Sequence, residues 1–174
     1  MSKTSLVLTI LGQDRPGLVE QIAKLVAEHE GNWLESRMAR LAGQFAGILR
    51  VEVDAAHAES LTSSLAGLAQ AGLESLVHPD PAATTTAVDN RPLLHLDLLG
   101  QDRPGIIREI SRVLAALGVN VEELNTQCRA AAETGQPLFH AEAQLRLPAQ
   151  VSEAALRTAL EAVANDLMVD VKLA

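Results

Sequence analysis

The sequence predicts an α+β protein made of two ferredoxin-like βαββαβ modules, each with a four-stranded antiparallel sheet and helices on one face. The main observation is a repeated hexapeptide, because Gly-Gln-Asp-Arg-Pro-Gly occurs at 12–17 and again at 100–105. The hydrophobic pattern repeats with it, since each copy separates an alternating strand pattern from a helical one. The order strand, helix, strand, strand, helix, strand with right-handed crossovers then gives this fold.

The first strand and the first helix of the first module meet at the hexapeptide. Apolar residues alternate over 5–11, which predicts a strand with one buried face. Beyond the hexapeptide, apolar residues recur at helical spacing, so we expect a helix with Asp14 as its cap and Pro16 in its first turn. Gly31 is expected to end that helix.

The remaining elements of the first module follow in a regular order. Residues 32–41 and 44–54 predict two strands joined by a tight Ala-Gly turn. A helix over 57–70 and a short strand over 73–77 complete the module. The first domain is therefore expected to span 1–78.

A linker and a second module account for the rest of the chain. Residues 79–91 contain prolines and three consecutive threonines without an apolar period, which is typical of a linker. The second domain, 92–174, repeats the first until a longer hairpin loop at 128–135 shifts the register. Its later elements are predicted at 138–147, 151–165 and 167–173.

Composition argues against several classes of function. The net charge of −8 and the pI near 5.1 disfavour binding to a phosphate backbone, and one tryptophan and two phenylalanines are too few for base stacking. No run approaches about 18 apolar residues, so we expect a cytoplasmic protein without a membrane span. Cys128 is the only cysteine, which excludes an intrachain disulfide and a structural zinc site built from cysteines.

The two hexapeptides have the chemistry of a site for a small zwitterion. They lead into helices, whose first N–H groups favour an anion such as a carboxylate. The arginine of each copy can add a charge-assisted bond to that carboxylate, and the aspartate can meet an ammonium group. The second glycine leaves room for close approach of a ligand. The candidate ligand-binding residues are Gly12, Asp14, Arg15, Pro16, Gly17, Leu18 and Asn32 in the first module, and Gly100, Asp102, Arg103, Pro104, Gly105, Ile106 and Asn120 in the second.

Simpler interpretations of these residues stay open at this point. The hexapeptide can be a plain strand-to-helix turn, although a turn does not require its glutamine and arginine. Asn32 and Asn120 open the second strand of each module. They can be turn-forming residues, or they can reach a ligand held by a neighbouring module.

The pattern resembles the ACT domain, a small regulatory module that binds amino acids at module interfaces. The resemblance rests on a strand, the sequence Gly-x-Asp-Arg-Pro-Gly followed by Leu or Ile, a helix, and an Asn at the second strand. It covers residues 4–78 and 92–173. The second module departs from the first in its longer loop at 128–135 and in Val121, which replaces Trp33, so the two sites can differ in affinity.

The resemblance implies a protein without enzymatic activity or cofactors that represses transcription. It implies glycine or a similarly small amino acid as the ligand, and a transcriptional activator protein instead of DNA as the partner. A stand-alone regulatory subunit of a metabolic enzyme is the alternative. The bare sheet faces and strand edges of such modules are expected to be covered by pairing, either within the chain or in a homodimer.

A further cluster of polar residues is expected on the second sheet. His95 and Asp97 share the face opposite the core in one strand, and His140 and Glu142 share that face in a neighbouring strand. These residue types can bind a metal ion. The first module has no equivalent cluster, so we expect a polar face or a contact between modules, and no metal. No catalytic set is recognisable in the sequence.

Overall fold

Two separate units make up the chain in the computed structural model, which describes residues 2–80, 89, 91–132 and 134–174. The units are residues 1–87 and 88–174. Each contains a four-stranded antiparallel sheet with helices, so the predicted fold class is confirmed. Most of the predicted linker at 79–91 lies outside the described residues.

The first unit contains β1 (Lys3–Gln13), α1 (Leu18–Glu28), β2 (Asn32–Leu41), β3 (Gln44–Asp54), α2 (Ala58–Gly67), a 3₁₀ helix (Leu68–Ala71) and β4 (Leu73–Pro79). The strand order is β2-β3-β1-β4, and every neighbouring pair is antiparallel. The hexapeptide therefore follows the central strand β1 and lies at the end of the sheet between β3 and β4.

Helices cover one face of the first sheet. Leu8 and Ile10 of β1 are fully buried, as the alternating pattern predicted, and they belong to one cluster with Ile22 of α1 and Leu61 of α2. Removal of these apolar side chains from water is the main force that holds the helices on the sheet. In the described part of the first unit, no helix packs on the opposite face of β1, where Leu11 is 47% exposed.

The second unit contains β5 (Leu93–Gln101), α3 (Ile106–Ala116), β6 (Asn120–Ala130), β7 (Pro137–Arg146), α4 (Glu153–Leu167) and β8 (Val169–Leu173). Its strand order, β6-β7-β5-β8, is the same as in the first unit. Leu98 of β5, Ile110 of α3 and Leu156 of α4 lie in its separate apolar core.

The starts of the two homologous helices differ from the prediction. α1 begins at Leu18 and follows Gly17, which is the N-cap residue, and no side chain of the described residues caps it. The expectations that Asp14 caps this helix and that Pro16 lies in its first turn are therefore wrong. Asp14 is instead drawn into an ion pair with Arg40, whose Nε lies 2.6 Å from Asp14 Oδ2.

The end of α1 also differs in detail. The residue with left-handed backbone is Glu30, with a φ of 54°, and not Gly31. Gly31 is needed for space, because a Cβ there would lie 2.9 Å from the carbonyl oxygen of Val26. In the second unit Gly118 occupies the position of Glu30, with a φ of 67°. Among the described residues, no helix is long and apolar enough to cross a membrane.

Candidate functional site

The candidate site of each unit is the junction between its central strand and its first helix. In the first unit, the N–H of Asp14 donates to the carbonyl oxygen of Gly43 over 2.9 Å. The second unit repeats this contact, because the N–H of Asp102 donates to the carbonyl oxygen of Pro137 over 2.9 Å. Each hexapeptide is thus attached to the hairpin that joins the second and third strands of its unit.

The second glycine of each hexapeptide leaves open space at the start of the helix. Gly17 has a φ of 89° and Gly105 a φ of 95°, a conformation that residues with a Cβ rarely adopt. Around the position of an added Cβ, the described residues beyond the immediate neighbours place no heavy atom within 4 Å. Because no described side chain caps α1 or α3, the N–H groups of the first turn are available to an anion.

The first glycine of each hexapeptide has a packing role. A Cβ on Gly12 would lie 2.5 Å from the carbonyl oxygen of Gly72, at the entrance to β4. A Cβ on Gly100 would collide with the Cγ1 atom of Val169, at the start of β8. These two candidate residues therefore bring the central strand against its neighbour, which accounts for glycine there without a ligand.

The charged side chains of the first junction are engaged within the unit. Arg15 Nη2 donates to the carbonyl oxygen of Ala71 over 3.0 Å and to Gln21 Oε1 over 3.3 Å. The carboxylate of Asp14 forms an ion pair with Arg40, and Arg40 Nε lies 2.6 Å from Asp14 Oδ2. The arginine and the aspartate that were expected to meet a zwitterion therefore already have partners within the unit. Arg15 donates to two neutral oxygens, and Asp14 is paired with a cation.

The second junction has the same hexapeptide and different neighbours. In the part of the chain that the structure describes, Arg103 has no hydrogen bond or ion pair. Cys128 occupies the strand position that corresponds to Arg40, since each pairs with the phenylalanine opposite the first glycine. Desolvation, followed by the charge and hydrogen bonding of Asp102, raises the pKa of the Cys128 thiol.

Several candidate residues cannot contact the same ligand through their side chains. Leu18 and Ile106 are core residues, 3% and 2% exposed, so only their backbone groups can face the junction. Asn32 pairs with Glu52, which pairs with Ser5 at the far end of β1. Ser5 is seven positions before the first residue of the hexapeptide, a distance of about 23 Å at roughly 3.3 Å per residue.

Asn120 lies at the corresponding far end of the second sheet. It pairs with Arg146, which pairs with Leu93 at the start of β5. Its side chain donates to Glu122 over 2.7 Å. The two asparagines are therefore remote from the hexapeptide of their own unit. Pro16 and Pro104 are exposed residues of the turn itself.

The polar cluster expected on the second sheet is brought together in part. His95, Asp97 and Glu142 each offer an atom suited to a metal ion, and these atoms lie within 4.8 Å of one another. His140 contacts the group through Asp97, because its Nε2 lies 3.1 Å from Asp97 Oδ2.

The neighbours that distinguish the two junctions were missed at the level of sequence. Arg40 and Cys128 lie on the second strands, and the carbonyl oxygen of Ala71 comes from the 3₁₀ helix. The signal for the first two was the hairpin register, which places both residues beside the start of the hexapeptide. No residue type predicts the backbone carbonyl as a partner, since it becomes available only where a helix ends.

Comparison with known proteins supports the relationship. Residues 4–74 match the ACT domain family model. Over 171 residues the chain is 28% identical to the glycine cleavage system transcriptional repressor of Escherichia coli (strain K12), which covers 95% of this chain and 87% of that protein. The same identity and coverage hold for the protein of that name from Shigella flexneri.

Solved structures share the arrangement over nearly the whole chain. An unknown protein from Galdieria sulphuraria has a TM-score of 0.87 and 28% identity, over 99% of this chain and 98% of that one. A protein proposed to be a glycine cleavage system transcriptional repressor has a TM-score of 0.71 and 18% identity, over 100% and 98%, and supports the fold alone. The first unit matches the ACT domain model, and the second unit repeats its topology and its hexapeptide, so the chain resembles a tandem ACT-domain protein and is similar over most of its length to the glycine cleavage system transcriptional repressor.

Proposed function

We propose that this protein is an amino-acid-responsive regulator that controls transcription by binding a partner activator protein, and that it is not an enzyme. The observation that carries the proposal is the repeated junction, where an uncapped helix start and a left-handed glycine leave space beside an arginine and an aspartate. A carboxylate fits the N–H groups of the helix start, and an ammonium group fits the aspartate. Glycine carries both groups with the smallest bulk.

The second junction is the better candidate for ligand binding. Arg103 has no partner among the described residues, whereas Arg15 must leave the carbonyl oxygen of Ala71 before it can bind a carboxylate. Similarly, Asp102 is beside a thiol, whereas Asp14 is neutralised by Arg40. Binding at the first junction therefore costs the contacts of Arg15 with Ala71 and of Asp14 with Arg40, whereas binding at the second costs only the weaker hydrogen bond between Asp102 and the Cys128 thiol.

Regulation would follow from a shift between two states of the protein. If the amino acid binds one state more tightly and the partner protein prefers the other, each weakens binding of the other by the same factor. The net charge of −8 supports a protein partner, because it disfavours direct contact with DNA. The relative from Escherichia coli is named as a transcriptional repressor, which supports transcription as the process and the cytoplasm as its place.

Calorimetry with the full chain tests the ligand. We expect glycine to bind, and both acetate and glycinamide to bind more weakly, because the first lacks the ammonium group and the second lacks the carboxylate. R103Q is expected to lower glycine affinity by about tenfold or more, since a charge-assisted hydrogen bond is lost. R15Q is the matched control in the same motif and is expected to have a smaller effect.

The outcomes separate the parts of the proposal. If no small amino acid binds at physiological concentration, the ligand-sensing function is wrong. If R15Q weakens binding and R103Q does not, the first junction is the site and the assignment to the second is wrong. If R15Q and R103Q lower glycine affinity equally, the existing contacts of Arg15 do not determine which junction binds the ligand.

The alternative is a regulatory subunit of a separate metabolic enzyme. It rests on the match of residues 4–74 to the ACT domain model, because the resemblance implies a regulatory module and does not itself specify the partner. Purification of the tagged protein from its own cells separates the two. A transcriptional activator among the retained proteins supports the first function, and a synthase or transferase supports the second.

A further inference from the structure

The open face of the second sheet carries a group of potential metal ligands. His95 and Asp97 lie on β5 between the buried residues of that strand, and both are half-buried. Glu142 lies directly opposite Asp97 on β7 in the strand register. The three residues belong neither to the apolar core nor to the hexapeptide junction.

The fold does not require these residues. Glu142 and Asp97 place two carboxylates opposite each other on neighbouring strands, an arrangement that destabilises a sheet when nothing neutralises it. In the first unit, Thr9 and Ile48 form the pair at the same register. Within the described residues, the side chain of Glu142 has no hydrogen bond or ion pair.

The geometry suits a cation. One ligand atom from each of His95, Asp97 and Glu142 lies within 4.8 Å of the others. In a tetrahedral site with bonds of about 2.0–2.1 Å, ligand atoms are roughly 3.4 Å apart, so side-chain movements of about 1 Å would close the site. A hollow of about 160 Å³ adjoins the group, and it is lined by His95, Glu123, Asn125, Glu142, Ala143 and Gln144.

Neighbouring polar groups hold two of the ligands in place. His140 Nε2 lies 3.1 Å from Asp97 Oδ2, which leaves the other oxygen of that carboxylate for an ion. His95 Nδ1 lies 3.3 Å from the side-chain amide of Gln144, and for Nε2 to ligate an ion this amide must present its oxygen to Nδ1 as the acceptor. Contacts of this kind to ligating side chains are typical of metal sites, where they orient the ligands.

We propose that His95, Asp97 and Glu142 bind a divalent transition-metal ion of the zinc class on the open face of the second sheet. One imidazole nitrogen and two carboxylate oxygens match this class, whereas Mg²⁺ and Ca²⁺ favour oxygen ligands alone and Cu⁺ favours sulfur. Three protein ligands leave a coordination position for water. Lys172 is level with Asp97 on the neighbouring strand β8.

The test uses the full chain, prepared without a histidine tag and stripped of metal with a chelator. Zn²⁺ is titrated in competition with a chromophoric chelator, and one equivalent per chain is expected to bind. E142Q and H95Q are each expected to lower the affinity by at least about tenfold, because each removes a ligand. D170N, which removes an exposed carboxylate from β8, is the matched control and is expected to bind like the original chain.

A second variant guards against loss of folding. Glu142→Ile introduces the residue that the first unit carries at this register, so the strand is retained, and circular dichroism confirms that the protein is folded. H140Q is expected to weaken Zn²⁺ binding less than E142Q, because His140 orients Asp97 without ligating the ion. The proposal is overturned if the folded protein takes up no Zn²⁺, or if E142Q and D170N change the affinity equally.

Discussion

The two strand–helix junctions share six identical residues and differ in what surrounds them. In the first, Arg15 donates to the carbonyl oxygen of Ala71 and Asp14 is paired with Arg40. In the second, Arg103 has no partner among the described residues and Asp102 lies beside Cys128. A duplicated motif thus keeps its backbone geometry while its charges are set by residues on other elements.

The largest expected effect concerns the part that the junctions have in common, the first glycine. G12A is expected to destabilise the first unit by about 1–3 kcal/mol, because the new methyl group meets a backbone carbonyl that cannot rotate away. G100A is expected to cost a similar amount, since its Cβ would collide with Val169 Cγ1 and also lie 2.9 Å from the backbone Cα of that residue. Urea unfolding of both variants measures these losses.

The control for this pair is Gly67, where an added Cβ would meet nothing within 4 Å and where the backbone is helical. G67A is expected to leave stability unchanged or slightly higher, as alanine is the better helix former. Equal losses for G12A and G67A would contradict the packing role of Gly12.

A second contrast is between two aspartates, the nearly buried Asp80 of the first unit and the exposed Asp89 of the second. Asp80 is nearly buried, with 4% side-chain exposure, and its Oδ2 accepts from Arg50 over 2.6 Å and from Ser5 over 2.8 Å. D80A is expected to cost about 1–3 kcal/mol, because the half-buried donors of Ser5 and Arg50 lose their acceptor. D89A is expected to cost less, since Asp89 is exposed and Arg146 retains Glu122 at 3.2 Å.

The smaller effect of Asp89 has a pH signature. The hydrogen bond from Arg91 holds the pKa of the Asp89 carboxyl below its usual value. Its stabilising contribution is therefore complete above the pKa of the unfolded carboxyl and is lost as the pH falls through the lower folded value. The difference in unfolding free energy between the original chain and D89A should disappear in acid. A difference that persists there would contradict this cause.

The sequence was sufficient for the fold and insufficient for this contrast. The alternation over β1 and the helical stripe of α1 are local patterns, and they predicted the core residues Leu8 and Ile22 correctly. The role of Gly12 depends on contact with Gly72, and the charge of Asp14 depends on Arg40. Such contacts join residues distant in sequence, so no local pattern reports them.

A substitution can make the second junction resemble the first. C128R places an arginine beside Asp102 at the position of Arg40 and should form the equivalent ion pair. If Asp102 meets the ammonium group of the ligand, glycine affinity should fall by about twofold to fivefold, the range of an exposed ion pair. Calorimetry measures this, and R40C is the reciprocal variant. An unchanged affinity in C128R would mean that Asp102 does not contact the ligand.

The smallest expected effect is chemical and reports directly on the contact between Asp102 and Cys128. Desolvation and then Asp102 raise the pKa of the Cys128 thiol, so at pH 8 the thiolate fraction is lower than in a free cysteine. D102N removes the negative charge, which lowers the pKa and should speed alkylation by iodoacetamide. D170N, which removes a carboxylate from β8, is the control and should leave the alkylation rate unchanged.

Because only the thiolate reacts, a profile of the alkylation rate against pH separates a shift in the pKa of Cys128 from a change in its accessibility. An unshifted profile in D102N would mean that Asp102 does not influence the thiol, and the electrostatic difference between the two junctions would then rest on the pair of Asp14 with Arg40 and on the partners of the two arginines.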